Sequence, residues 1–392
     1  MTEQQNENTL EILDRLIGFD TVSRDSNLDL IDYVEEYLSQ YDINSDLFYN
    51  KNKDKANLVA KIGEGHNPGV LLSGHTDVVP VEGQKWHTNP FELVVKDNKA
   101  FGRGTTDMKG FIASTLAAVP DFLAAKLPCP IYLVFSYDEE VGCVGVRDVL
   151  ADIPFPLEDI RACIVGEPTL MKPVTAHTGK QVISLDFYGT AMHSSLAPKA
   201  VNAISYASKV ICGIGDLEEE AKQQKIVDRR FEFPHPTINV GKISGGKAVN
   251  IVAGDCIFDV EFRYPPGLSA DAFRGHLGEI VEEVALAPMK DIDPNSDVQW
   301  RDVVNYPAFN AEQDSQAVEL VQFLTGSNET LAVNYGTEAG LFQNKGISTV
   351  VCGPGDIAQA HQPNEYIELA QLKSCDAFLR RLTVALSQEG AR

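Results

Sequence analysis

Apolar residues recur at helical spacing over residues 10–19 and 28–38, after which short apolar runs alternate with helix-like segments. That alternation predicts an α/β protein. Strands are expected at 56–62, 70–73, 131–136, 162–165 and 349–352, several of them apolar throughout, as strands covered on both faces tend to be. Residues 108–125 read as one helix. Between about 180 and 309 the pattern changes to alternating strands (182–187, 237–240, 257–262) with two helices (200–214, 270–284). The chain therefore divides into a first domain built from 1–179 and 309–392 and an inserted domain over 180–308. The last stretch, 359–392, reads as a loop followed by an amphipathic helix from near Glu368. No internal repeat, low-complexity tract or long linker interrupts this order.

A length of 392 residues fits two or three domains rather than one core. Thirty-three Lys and Arg against 56 Asp and Glu leave a net charge of -23, which repels nucleic acid and anionic membrane surfaces. No run approaches the roughly 18 apolar residues of a membrane span, and the first eight residues are polar rather than a signal peptide. A cytoplasmic protein is expected, with neither nucleic acid nor membrane as a partner. Seven widely spaced cysteines without a C-x-x-C pair read as reduced core thiols.

Candidate chemistry collects behind the apolar runs. Residues 71–77 (Leu-Leu-Ser-Gly-His-Thr-Asp), 134–140 (Val-Phe-Ser-Tyr-Asp-Glu-Glu), 164–167 (Ile-Val-Gly-Glu) and 351–361, ending at His361, each follow a predicted strand. In open α/β sheets the ligand crevice lies beyond the carboxyl ends of the strands, so these groups can converge. A Gly-rich turn at 102–110 places Asp107 at the entrance to a helix. Two histidines and several carboxylates form a set of N and O donors suited to zinc and related divalent ions. Singly, each residue has a plainer explanation. A lone His75 is more often a hydrogen-bonded structural histidine, Asp77 can cap a turn, Asp107 can be an N-cap, and Glu167 can be a loop acid. Glu139 and Glu140 side by side after an apolar run are costly unless a cation or proton resolves them. The conjunction of all five clusters is what the plainer explanations leave unaccounted for.

Residues 74–80, 102–110, 138–140, 166–169 and the C-terminal His361 together resemble the dinuclear-zinc aminoacylase and carboxypeptidase superfamily, in its usual order and nearly end to end. Within it, residues 334–339 (Asn-Tyr-Gly-Thr-Glu-Ala) and 353–366 resemble the acetylornithine deacetylases more than the succinyl-diaminopimelate desuccinylases. The resemblance implies a mixed-sheet, zinc-peptidase-like catalytic domain carrying an inserted α+β, ferredoxin-like domain that serves as lid and makes a homodimer. It implies that His75, Asp107 and Glu167 hold one zinc ion while Asp107, Glu140 and His361 hold the other, with cobalt or manganese as possible substitutes on the same donors. It also implies that Glu139 is the general base, that Asp77 accepts the free ring N–H of His75, and that the Asp107–Met108 peptide is cis. His193 in the insertion matches a histidine that reaches a neighbouring subunit's site. Asn250, Arg263, Gly336 and Thr337 match substrate-side positions, a planar guanidinium being well suited to an α-carboxylate.

The expected activity is hydrolysis of the amide of an N-acyl amino acid, N-acetyl-L-ornithine foremost, in arginine biosynthesis. A desuccinylase or an N-acyl-citrulline hydrolase would keep the same metal residues and differ in pocket lining. A non-catalytic binding protein on the same fold is disfavoured by Glu139, which metal binding alone does not need. One decoy is set aside. Residues 241–247 fit G-x-x-x-x-G-K, but Ala248 follows instead of Ser or Thr, and strand-like alternation follows instead of a helix.

Overall fold

The computed structural model describes residues 2–223, 228–312 and 314–389, and the chain forms two compact units. The first is drawn from Met1–Thr175, Asn310–Leu331 and Thr337–Arg392. Its β-branched and apolar runs pair into a mixed sheet in which Ser45–Tyr49, Ala56–Ile62, Ile131–Ser136, Gly69–His75, Ile160–Pro168 and Thr349–Gly353 lie side by side in that order. The last four are mutually parallel, and Ala56–Ile62 and Ser45–Tyr49 continue the sheet antiparallel. Every residue of Gly69–His75 and Ile131–Ser136 is buried, as expected for strands covered on both faces. Strands 56–62 and 131–136 begin and end where the pattern puts them. The other three run further, to Gly69–His75, Ile160–Pro168 and Thr349–Gly353, because backbone pairing continues past the apolar run into polar residues. His75 and Glu167 sit in those extensions.

The helices Thr2–Ile17, Lys109–Ala117 and Leu369–Glu389 pack on one another. All of Lys109–Ala117 is buried, so this helix has no polar face to mark its limits. The single helix expected over 108–125 is instead two, Lys109–Ala117 and Val119–Ala124. Pro120 is the cause: it has no N–H to continue the ladder and is tolerated in the first turn of the second helix. Gly166 permits the closest approach in this layer, since a Cβ there would lie 2.1 Å from the Phe111 ring of Lys109–Ala117.

Asp376, on the Leu369–Glu389 helix, is fully buried and accepts a hydrogen bond from Thr9 Oγ1 at 3.0 Å. Burial pushes its carboxyl from 3.8 up to about 6. The folded chain therefore keeps a proton between about pH 4 and 6 that the unfolded chain has released, so this residue makes stability fall as pH rises through that window. Asp376→Asn, which is neutral throughout, is expected to raise the melting temperature at pH 8 and to leave it unchanged below pH 4. An equal shift at both pH values would show that the charge is not the cause.

The second unit comprises Ala176–Phe309 with Ala332–Gly336. Its elements run Gly179–Tyr188, helix Ala203–Gln223, Thr237–Gly245, Asp255–Tyr264, helix Ala270–Val281 and Asp297–Tyr306, a β-α-β-β-α-β ferredoxin-like succession. The antiparallel sheet has Thr237–Gly245 at one edge, then Asp255–Tyr264, Gly179–Tyr188 and, at the other edge, Asp297–Tyr306. Strict alternation in Asp255–Tyr264 puts Cys256, Phe258, Val260, Phe262 and Tyr264 inward. Asp297–Tyr306 escapes the sequence pattern because it is an edge strand with mostly exposed, half-polar positions. The helix read over 270–284 likewise continues, through a π-turn at Glu282–Leu286, to Ala287–Ile292. Residues 332–336, read as part of the first domain, belong to this unit: Thr178 Oγ1 donates to Asn334 O at 2.8 Å, and Gly336 lies against the Tyr306 ring, which leaves no room for a Cβ. The decoy at 241–247 lies mostly within the edge strand, as its alternation indicates. Six of the seven cysteines are buried; Cys212, expected in the core, is exposed on the outer side of the Ala203–Gln223 helix.

Candidate metal centre

Parallel pairing sets the site. His75 lies opposite Ser136, so the turn after Gly69–His75 and the acidic turn after Ile131–Ser136 leave the sheet together. The Asp77 carboxylate joins them, with Oδ1 accepting the Glu139 amide at 3.0 Å and Oδ2 accepting the Glu140 amide at 3.2 Å and Ser23 Oγ at 2.7 Å. His75 Nδ1 faces Asp77 by both of its oxygens, the main-chain oxygen at 2.9 Å and carboxylate Oδ1 at 3.6 Å. Either way Nδ1 carries the proton toward Asp77 and Nε2 faces the site.

Asp107 is presented from the Gly-rich turn, and its peptide bond to Met108 is cis. It is not an N-cap; Met108 holds that position and no side chain caps the helix. The two oxygens of Asp107 face different histidines: Oδ1 is 3.0 Å from His75 Nε2 and Oδ2 is 3.2 Å from His361 Nε2. Glu167 Oε1 lies 3.7 Å from His75 Nε2, and Glu140 Oε2 lies 3.0 Å from His361 Nε2. Two sets of donor atoms, His75/Glu139/Glu167 and His75/Asp107/Glu140, each fall within 4.8 Å of one another. All these side chains are largely buried except His361, which is half exposed.

Electrostatics test whether this donor set suits cations. Burial pushes the Glu139 and Glu167 carboxyls well above the usual range, with neighbouring carboxylates adding to the shift, and brings Glu140 to about 7. Burial also opposes the Asp107 charge, but hydrogen bonds from His361 and His75 outweigh it and hold that carboxyl low. Bonds to Asp107 and Glu140 raise His361 to about 10. Four carboxylates converging on two imidazoles thus demand positive charge, and the mixed N and O donors fit divalent metal ions.

Three further groups belong to this neighbourhood. Glu338 is buried at about 7, pushed up by burial, and accepts Ser73 Oγ at 3.2 Å and Ser136 Oγ at 2.5 Å, bracing the two strands that lead to His75 and Glu139. Cys143 Sγ donates to Glu139 Oε1 at 3.3 Å. Glu365 receives the amides of Thr106 and Asp107. In the sequence Glu338 and Glu365 lie inside the stretches 334–339 and 353–366 that carry the resemblance, with no role attached to either, and Cys143 follows the acidic turn at 138–140.

The expected substrate-side residues are divided between the two units. Thr337 is buried in the first unit, and its Oγ1 accepts the Ala339 amide at 3.0 Å in a turn. Gly336, Arg263, His193 and Asn250 are in the second unit. There His193 and Asn250 come together, since Ser194 N donates to Asn250 O at 2.9 Å and His193 bridges Ile251. His193 is exposed, and its Nδ1 accepts the Ser195 amide at 3.2 Å. Arg263 is partnered rather than open: Nε donates to Glu261 Oε1 at 2.7 Å and Nη1 approaches Asn334 O at 3.4 Å.

Residues 71–385 match the model of peptidase family M20/M25/M40. The chain belongs to this family. Membership of M20/M25/M40 makes it a metal-binding hydrolase, in agreement with the donor cluster above. It is 37% identical over 320 residues to an acetylornithine deacetylase of Pectobacterium atrosepticum, covering 82% of this chain and 80% of that one. In fold it is similar to an M20 family metallo-carboxypeptidase of Sulfolobus solfataricus, at a TM-score of 0.75 and 20% identity over 96% of this chain and 99% of that one. It is also similar to a dinuclear metal-binding M20 peptidase of Bacillus subtilis, at a TM-score of 0.69 and 13% identity over 98% and 99%. Among the described residues, no helix is long and apolar enough to cross a membrane.

Proposed function

We propose that this chain hydrolyses the amide of an N-acyl amino acid, N-acetyl-L-ornithine to L-ornithine and acetate, as a step of arginine biosynthesis in the cytoplasm. The observation that carries the chemistry is the divided Asp107 carboxylate, one oxygen on each histidine. The substrate is supported by the identity to the acetylornithine deacetylase.

His75, Asp107 and Glu167 would hold one zinc ion, and Asp107, Glu140 and His361 the other; cobalt or manganese suits the same donors. Two such ions supply a water of lowered pKa and polarise the amide carbonyl. Glu139 takes the proton from that water as it attacks, and returns it to the nitrogen of the leaving amine. Glu139 is favoured over Glu140 as the base because Glu140 is already paired with His361 at 3.0 Å. Arg263 would exchange its present contacts with Glu261 and Asn334 O for the substrate carboxylate, with Asn250, Gly336 and Thr337 as the other substrate-side positions.

His193 acts on the site of a partner copy, donating from Nε2 to the oxyanion, and the second unit forms the homodimer. Supporting this are the open edge strand Thr237–Gly245 and the exposed apolar side chains of Leu196, Ile243, Val249 and Ile251. Mixing His193→Ala with Glu139→Gln chains is then expected to restore activity that neither variant has alone, because one site of the mixed dimer holds both wild-type groups. Mixed samples with verified exchange that stay inactive would exclude action between subunits.

The substrate reading is tested by kcat/KM over a panel of N-acetyl-L-ornithine, N-succinyl-diaminopimelate, N-acetyl-L-citrulline and other N-acetyl amino acids. N-Acetyl-L-ornithine is expected to lead by at least about tenfold, the discrimination of a single well-placed polar contact. A different leader reassigns the substrate while leaving the hydrolase intact.

A further inference from the structure

Arg103 is a buried guanidinium beside the site that none of the chemistry above uses. Its Nη1 donates to Glu365 Oε2 at 2.7 Å and approaches Gln362 O at 3.4 Å, while Nη2 donates to Gln84 Oε1 at 2.6 Å. Both acceptors reach on to the donor cluster. Glu365 takes the amides of Gly104 at 3.1 Å, Thr106 at 2.9 Å and Asp107 at 3.1 Å, so it fixes the turn that aims Asp107. Gln84 Nε2 donates to the main-chain oxygen of His361 at 2.9 Å. His361 itself sits at φ 62, a left-handed backbone that a non-glycine residue keeps only when its surroundings hold it. Trp86 closes the group, its Nε1 donating to Gln84 Oε1 at 3.1 Å and its ring lying 5.2 Å from the guanidinium.

We propose that Arg103, acting through Glu365 and Gln84, is a positioning residue that holds Asp107 and His361 in register and thereby sets the affinity of the second metal site. The inference rests on the two-ion reading above. It bears more on the second site because the network reaches two of that site's ligands, the shared Asp107 and His361, but only Asp107 of the first, to which His75 Nε2 is joined at 3.0 Å. A fork is required: one face of the guanidinium serves each loop, and a lysine ammonium cannot span both with the same geometry.

The test is calorimetric titration of the metal-free protein with Zn²⁺, read as equivalents and affinities, with circular dichroism to verify folding. Arg103→Lys keeps the charge facing Glu365 but loses the fork. Gln84→Ala removes the bond to His361 at a partly exposed position, and it carries the test if Arg103→Lys does not fold. Both are expected to bind the second equivalent about 10–100-fold more weakly, the usual cost of losing a partner behind a metal ligand. Gln84→Ala, which reaches only His361, is expected to bind the first as the wild type does, and Arg103→Lys, which also reaches the shared Asp107, to weaken the first less than the second. The double variant is expected to be no weaker than Arg103→Lys alone, since both act in one network. Folded variants that bind the second equivalent as tightly as the wild type overturn the proposal while leaving two ions in place. A wild type that binds a single equivalent overturns the two-ion reading and this inference with it.

Discussion

Glu139→Gln is expected to bind metal as the wild type does, keep KM within a few-fold, and lose about 10²–10⁴-fold in kcat, the usual contribution of a positioned general base. The amide is nearly isosteric and still accepts from Cys143 Sγ, so the local contact survives. What it cannot do is take a proton. Metal analysis decides between the two roles open to this residue. Its donor atoms fall within 4.8 Å of those of His75 and Glu167, a distance at which it can serve as a ligand. If the variant loses an ion, Glu139 is a ligand and the base lies elsewhere. Near-normal turnover with full metal content removes it from the chemistry. Glu140→Gln gives the converse pattern, lost metal first and activity as a consequence, because a neutral amide oxygen is a poorer ligand than a carboxylate.

What the sequence reveals of this protein follows from how each element is stabilised. Central strands such as Ile131–Ser136 are legible because burial on both faces demands an unbroken apolar run. The edge strand Asp297–Tyr306 is not, since half of it faces solvent and carries Asp, Gln, Arg and Asn. Lys109–Ala117 is legible as helix but not in its end, which Pro120 determines by a missing N–H. At the site, the chemistry-bearing side chains announce themselves as acids and histidines behind strands. The residues that orient them do not. Glu365 and Arg103 are charged residues buried 262 positions apart, and only the folded chain brings them to 2.7 Å. Asp77 shows the other limit: a resemblance names it as a partner of His75, but only the folded chain shows that its main-chain oxygen is nearest the ring and that its carboxylate also gathers the amides of Glu139 and Glu140 and the Ser23 hydroxyl.

Asp107→Asn is expected to have the widest effect, because a single carboxylate supplies one oxygen to each histidine-bearing half of the site. An amide has one good acceptor and one donor, so whichever way it turns, an NH₂ group faces either His75 or His361 and the metal beside it. Both ions should then be lost or greatly weakened. Charge stabilisation by metal ions is worth several kcal/mol of the barrier, so activity should fall by about 10³-fold or more. Glu167→Gln and Glu140→Gln should each weaken one ion and spare the other, which separates a shared ligand from two private ones. The metal-free protein offers a second readout. The bond to Asp107 is the largest cause of the rise of His361 to about 10, so that imidazole should titrate well below 10 in the variant, as NMR can follow. Two tightly bound equivalents in Asp107→Asn, with His361 unmoved, would mean that the carboxylate holds the loops in place without joining the two sites.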